Sequence, residues 1–316
     1  MAKQKVVVVG TGMVGASYAY ALVNQCLVDE LVLIDNKKQT AEAHAEDIKH
    51  GICYLEKQPL IFAGEYSDCK DADIVCITAG AAQKPGQSRL DLVEINASIM
   101  TSIVREIMKS GFNGILLIAS NPVDIMSFVA QKVSGLPQAR VIGSGTTLDT
   151  GRLRSNLSEY FGFNPTNVHA YVIGEHGDSS LPLWSTATIG QQMILDVVAQ
   201  SNGKYDMDGL KQCFIDARDA AYKIIEGKGS TYYGIGLALS RITKAILSDQ
   251  TAILTVSAKL NGQYDECGLY VPVPAIIGGE GISQIQNLNI SSQEREAFKA
   301  SCKTIKEVLK DLGYNE

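Results

Sequence analysis

The chain has 316 residues, 46% hydrophobic and 20% charged, with a formal net charge of -6 at pH 7. That length is enough for two lobes with a sizeable core, and the acidic balance argues against nucleic acid or an anionic membrane as a partner. Seven cysteines, an odd number with no C-x-x-C pair, favour reduced thiols and a cytoplasmic address over a disulfide framework, and no apolar run is long enough to span a bilayer.

In chain order, the first element is the strand KVVVV (5–9), followed at once by GTGMVG and the helical pattern MVGASYAYALVNQ. The strand LVLI (31–34) ends at Asp35, twenty residues after Gly15. Further apolar strands follow: LIFAG (60–64), DIVCIT (73–78), GILLIA (114–119) and RVIG (140–143). Helical patterns separate most of them, namely QTAEAHAEDIKH, LVEINASIMTSIVREIMKS and DIMSFVAQKVS. Wholly apolar strands joined by helices imply a parallel sheet covered on both faces, and six of them suit a doubly wound sheet of order 3-2-1-4-5-6.

Past residue 143 the grammar changes. A helix over 149–161 leads to an alternating strand, NVHAYVIG, and long helices follow near 206–226 and 231–247. AILTVSAKL and LYVPVPAIIGG read as a hairpin joined across Asn261-Gly262. The last helix opens with SSQE, in which Ser291 and Glu294 form a capping box. The expected fold class is therefore α/β, an N-terminal Rossmann domain (1–143) with a C-terminal α+β substrate domain (144–316), tightly packed because no linker composition separates them.

Three groups of residues carry chemistry. In the first, Gly10 makes the turn after the strand, Gly12 lets a pyrophosphate approach the backbone and Gly15 lets helix and strand pack. With Met13 and Val14 in the same loop, they set the helix N-terminus towards phosphate charge. Asp35 would bond the adenosine ribose and repel a 2′-phosphate, so NAD is the expected cofactor; the bland alternative is a glycine turn beside a surface aspartate. The second group is scattered. His176 stands in YVIGEHGDSS, one of only four histidines, and such a strand-end histidine is more often structural. Asp149 and Arg152 share a helical face three residues apart, and Asn121 in ASNPVD ends a strand where ligands bind in open parallel sheets. The third is the loop AGAAQKPGQSRLD, which carries Gln83 and Arg89 among small residues.

The blocks GTGMVG, TAGAAQKPGQSRLDL, ASNPVD, VIGSGTTLD, IGEHGDSS and KGSTYYGIGLA, in this order over nearly the whole chain, resemble the lactate/malate dehydrogenase family. Within it the chain is similar to the bacterial L-lactate dehydrogenases. The resemblance implies hydride transfer between a nicotinamide and C2 of a small 2-hydroxy or 2-oxo acid, with pyruvate and L-lactate as the pair. It implies that His176 is the proton donor in reduction, that Asp149 holds its tautomer, and that Arg152 grips the substrate carboxylate. Arg89 would arrive with the loop to polarise the carbonyl, with Asn121 nearby and Thr231 lining the pocket. Neutral Gln83 at the loop tip suits an uncharged methyl and disfavours a second carboxylate. The resemblance also implies that Arg154 and His169 bind fructose 1,6-bisphosphate across an interface of a homotetramer. Arg154 points about 200° from Arg152 around the helix, and a continuous strand would put His169 on the face opposite His176.

Two departures stand out. Gly151 replaces a commoner alanine between Asp149 and Arg152, and Gln87 replaces a commoner acid in the loop. Malate dehydrogenase and dehydrogenases of larger, branched 2-hydroxy acids are the near rivals, and a non-catalytic NAD-binding protein is the distant one. The short-chain reductase pattern appears only at Tyr66 and Lys70, too early in the fold, and no metal-ligand spacing is found.

Overall fold

Side-chain alternation in the first strand sets the layering. In β1 (Lys5–Val9) no valine is more than 2% exposed. Val6 and Val8 pack into one apolar cluster and Val7 and Val9 into another, on opposite faces of the sheet. Each such side chain stabilises the fold by roughly 1.5–3 kcal/mol through burial. The computed structural model describes residues 3–81 and 89–314, without the side chain of Arg89. Gln83 and Gln87 lie outside the described residues.

The strands β1, β2 (Glu30–Ile34), β3 (Leu60–Ala63), β4 (Ile74–Ile77), β5 (Ile115–Ile118) and β6 (Val141–Gly143) form a parallel sheet in the order β3-β2-β1-β4-β5-β6. This is the expected doubly wound arrangement. Helices α1 (Met13–Asn24) and α2 (Lys38–His50) cover one face, and α3 (Arg89–Lys109) and α4 (Val123–Ser134) the other.

The sheet does not end at β6. Three further antiparallel strands, β12 (Ala252–Asn261), β13 (Cys267–Gly278) and β14 (Gly281–Ile285), extend it to nine, with Ser257 of β12 opposite Gly143 of β6. Before them come α5 (Thr147–Phe161), the short strands β7 (Val168–His169), β8 (Val172–Ile173), β9 (Leu181–Pro182), β10 (Thr188–Ile189) and β11 (Gln192–Met193), and helices α6 (Ile194–Ala199), α7 (Met207–Lys228) and α8 (Tyr233–Leu247). The last helix, α9 (Ser292–Asp311), opens with the reciprocal Ser291–Glu294 capping box. A satellite core joins α5 and α7 through Leu153, Leu157 and Leu210.

Two expectations need correction. NVHAYVIG is not one strand: β7 pairs with β10, whereas β8 pairs with β9 in a separate sheet. Side chains of α5 and of its N-cap residue Thr146 explain the break, because they take backbone groups that a ladder would pair. Arg154 donates to the Ala170 carbonyl, Thr146 donates to that of Val172, and the Val172 amide donates to the Thr150 hydroxyl. The face-parity argument for His169 therefore loses its premise. The β12–β13 connection is also longer than a two-residue turn. Gly262 does take a positive φ of 102°, but the chain continues through a 3-10 turn at Gln263–Asp265. Tyr264, 1% exposed, folds inward there and donates its hydroxyl to the Gln286 carbonyl at 2.6 Å.

Candidate active site

The carboxyl ends of β1 and β2 build the first half of the site. Gly10 has φ +97°, and a Cβ there would come within 2.6 Å of the Ala79 backbone nitrogen. A Cβ on Gly15 would overlap the Gly10 carbonyl oxygen, which also accepts from the Thr78 hydroxyl at 2.7 Å. Gly12 differs: nothing lies within 4 Å of the Cβ it lacks. It caps α1, whose first turn has no acidic residue and no side-chain cap, so the terminal amides and the helix dipole remain open to an anion. Met13 stands 61% exposed beside this opening, and Val14 is half-buried.

Asp35 closes the cradle. Its Oδ2 accepts from the Thr11 amide at 2.7 Å and hydroxyl at 3.0 Å, and its Oδ1 from the Lys37 amide at 2.9 Å. Burial pushes its pKa up, but these amides and the hydroxyl outweigh that and hold it below the usual carboxylate range. An ionised, fixed carboxylate beside an open helix N-terminus fits a ribose and a pyrophosphate respectively.

The second half hangs from α5 and the segment after β8. Asp149, in the first turn of α5, is 8% exposed. Its Oδ2 lies 2.8 Å from His176 Nδ1, and its Oδ1 accepts from Arg152 Nη1 at 3.0 Å. Residues that the sequence scatters over 27 positions thus form one chain of contacts, His176–Asp149–Arg152. Burial drives the Asp149 pKa up, yet the two cations more than reverse this and hold it low. For His176, burial lowers the pKa, but Asp149, with help from Asp124, raises it to about 8. With Nδ1 facing a carboxylate, Nε2 is the ring nitrogen free to exchange a proton.

Arg152 and Thr231 line one cleft of about 590 Å³, together with Leu148, Ile224 and Tyr232. Thr231 sits between α7 and α8, so the cleft opens where these helices meet α5. Asn121 follows β5 at the same carboxyl edge of the sheet as Gly10 and is exposed there. Arg89 heads α3.

Family models match the chain over both halves: the lactate/malate dehydrogenase NAD binding domain over residues 4–143, and the alpha/beta C-terminal domain over residues 146–314. The chain belongs to the lactate/malate dehydrogenase family. It is 53% identical to an L-lactate dehydrogenase of Geobacillus sp. (strain WCH70) over 305 residues, 96% of this chain and 95% of that one. A lactate dehydrogenase from a Medee basin deep-sea metagenome library superimposes with a TM-score of 0.97 at 48% identity, over 99% of this chain and 100% of that chain. A minor L-lactate dehydrogenase of Enterococcus mundtii, in its ligands-bound form, gives 0.96 at 45% identity, with 98% of each chain covered. As a member of this family the chain is an NAD-dependent oxidoreductase, and the open glycine cradle with Asp35 is what such a cofactor needs.

Sequence reasoning missed three supports of this dehydrogenase site. Thr11, fully buried, ties the glycine loop to Asp35 through both its amide and its hydroxyl. Asn96, 4% exposed in α3, accepts from the Ala81 amide at 2.8 Å and donates to the Asn121 carbonyl at 2.9 Å, lacing two loops together. Its signal was a lone amide on the apolar stripe that runs through Val93, Met100 and Ile103. Asp124, the final residue of ASNPVD, is the third. Its signal was a lone carboxylate in the first turn of α4, flanked by Val123, Ile125 and Met126.

Proposed function

We propose that this chain is an L-lactate dehydrogenase, interconverting pyruvate and L-lactate with NADH and NAD. The His176–Asp149–Arg152 chain of contacts beside the lined cleft carries the reading. A dinucleotide held by its pyrophosphate at Gly10 to Gly15 and by its adenosine ribose at Asp35 would supply the hydride in reduction. Arg152 faces the substrate carboxylate; it gives one N–H to Asp149 and retains a fork that a planar carboxylate matches. As C2 gains the hydride, the carbonyl electron pair moves to oxygen, which takes the proton from His176 Nε2. Asp149 stabilises the imidazolium beforehand and keeps Nδ1 protonated afterwards. Positioned acid catalysis of this kind is worth ~10²–10⁴-fold. Arg89 would polarise the carbonyl, its guanidinium meeting the charge that develops on oxygen.

Choice between oxo acids rests on charge. Pyruvate presents a methyl to Gln83, whereas oxaloacetate would bring a second carboxylate. Lys228 also lines the cleft, but its ammonium sits 3.0 Å from the centre of the Tyr232 ring. That contact and its exposure keep it as a rim cation rather than a buried partner. An unpaired carboxylate in a closed pocket costs roughly 3–5 kcal/mol, a rate disadvantage of hundreds to thousands. The test is kcat/KM for pyruvate and oxaloacetate in the wild type and in Gln83→Arg. Preference for pyruvate, reversed by the arginine, is expected; wild-type preference for oxaloacetate would sink the reading.

A regulatory site belongs to the same proposal, with a homotetramer in the cytoplasm. Arg154 binds the Ala170 carbonyl and lies 5.3 Å from the Tyr171 ring, which ties it to the backbone next to exposed His169. A guanidinium and an imidazole on neighbouring segments, doubled by subunit symmetry, would suit the two phosphates of fructose 1,6-bisphosphate. Unchanged substrate kinetics and sedimentation with and without this sugar would dispose of that part alone.

A further inference from the structure

Asp124 is the charged group that the reading above leaves without a task. It is 2% exposed, in the first turn of α4, and every residue from Val123 to Ala130 is buried. A carboxylate is costly in such a place unless its oxygens are paired. Both are. Oδ2 accepts the backbone N–H of His176 at 2.9 Å, and Oδ1 accepts the hydroxyl of Ser257. Ser257 lies where β12 meets β6, and a Cβ on Gly143 would come within 2.6 Å of its Cβ, so the glycine permits the approach. One carboxylate therefore joins α4, the later half of the sheet and the segment carrying the proton donor.

We propose that Asp124 is a second positioning residue for His176: it fixes the donor's backbone while Asp149 fixes its ring, and its negative charge helps the imidazole keep its proton. The proposal rests on His176 being the proton donor. Among the described residues, the charged groups around His176 are Asp149 and Arg152 from α5, Asp124 from α4, and the adjoining Glu175, whose Oε2 is bound by Ser179. From β12 the neighbouring group is the neutral hydroxyl of Ser257. Burial pushes the Asp124 carboxyl up to about 7, against Ser257 and His176, which pull it down. Its charge thus develops as pH rises through neutrality, just before His176 begins to lose its proton near 8. Removing that charge should lower the pKa of the imidazole.

Two substitutions separate position from charge. Asp124→Asn keeps an acceptor for the His176 amide and removes the charge; Asp124→Ala removes both. The readouts are the ring-proton NMR titration of His176 in the free enzyme and the pH profile of kcat/KM for pyruvate. With four histidines in the chain, the His176 signal is assigned by its loss in His176→Asn. In Asp124→Asn, kcat at pH 6 should stay within about threefold of wild type. The titration midpoint and the kinetic limb should both move down by about half a unit or more. Asp124→Ala should lose roughly tenfold or more in kcat with KM for NADH unchanged. An unmoved midpoint and limb in Asp124→Asn, with Asp124→Ala within twofold of wild-type kcat, would overturn the proposal. Turnover retained by His176→Asn would instead remove the donor assignment, and this proposal with it.

Discussion

The glycine cradle at the end of β1 and the seat of His176 beside α5 use opposite materials. Gly10, Gly12 and Gly15 shape their site by leaving atoms out, so that backbone amides can face a ligand. Around His176 the site is made by side chains put in: Asp149, Arg152 and Asp124, all largely buried. A cradle of backbone fails when atoms are added, and a charged cluster fails when they are removed. The first kind of site is written in adjacent residues; the second depends on elements brought together by the whole fold.

The largest effect should come from the charged cluster. His176→Asn should lose ~10²–10⁴-fold in kcat, because the proposed proton donor is gone. NADH affinity, measured by fluorescence titration, should change little, since the cradle lies on other elements. Equal losses of binding and turnover would mean that the two regions do not divide the work in this way.

The cradle gives the sharper contrast. Gly15→Ala should destabilise the fold, because its Cβ overlaps a carbonyl that cannot move without shifting β1; overpacking of this kind costs about 1–3 kcal/mol. Gly12→Ala has open space and an ordinary backbone conformation, so its melting temperature should be unchanged. It should still weaken NADH by roughly tenfold, about 1.4 kcal/mol, by holding the pyrophosphate off the amides. Identical melting temperatures for the two variants would contradict the packing argument.

Gly151 supplies the smallest effect. It sits inside α5 between Asp149 and Arg152, and a Cβ there would meet nothing within 4 Å. Gly151→Ala should therefore stabilise the helix by about 1 kcal/mol, raising the melting temperature by about 2 °C. A fall in melting temperature would show that the helix start needs its glycine.

The cradle was legible because each of its parts acts within a few residues of the next, and Asp35 lies at a spacing fixed by one βαβ unit. The order of the parallel strands was legible for the same reason, from wholly apolar runs separated by helices. At the His176 site the sequence named the residues that the fold brings together, His176, Asp149 and Arg152, but not their supports. Asp124 meets His176 across 52 residues and Ser257 across 133, and no local pattern encodes either meeting. The break in NVHAYVIG was hidden likewise, because Thr146, Thr150 and Arg154 cap backbone groups of another segment. The Asn261-Gly262 turn misled by being half right: the glycine turns, but buried Tyr264 draws the loop onward.

The central claim is that a carboxylate-held imidazolium gives up the proton in reduction, and the pH dependence of kcat/KM for pyruvate with saturating NADH tests it most directly. His176 is raised to about 8, so its imidazole is charged below that value and loses its proton as pH rises through it. The profile should be level from pH 6 to 7 and then fall with a single-proton slope centred near 8, while lactate oxidation rises through the same value. A pyruvate profile that is flat from pH 6 to 10, or one that rises through 8, would contradict the account.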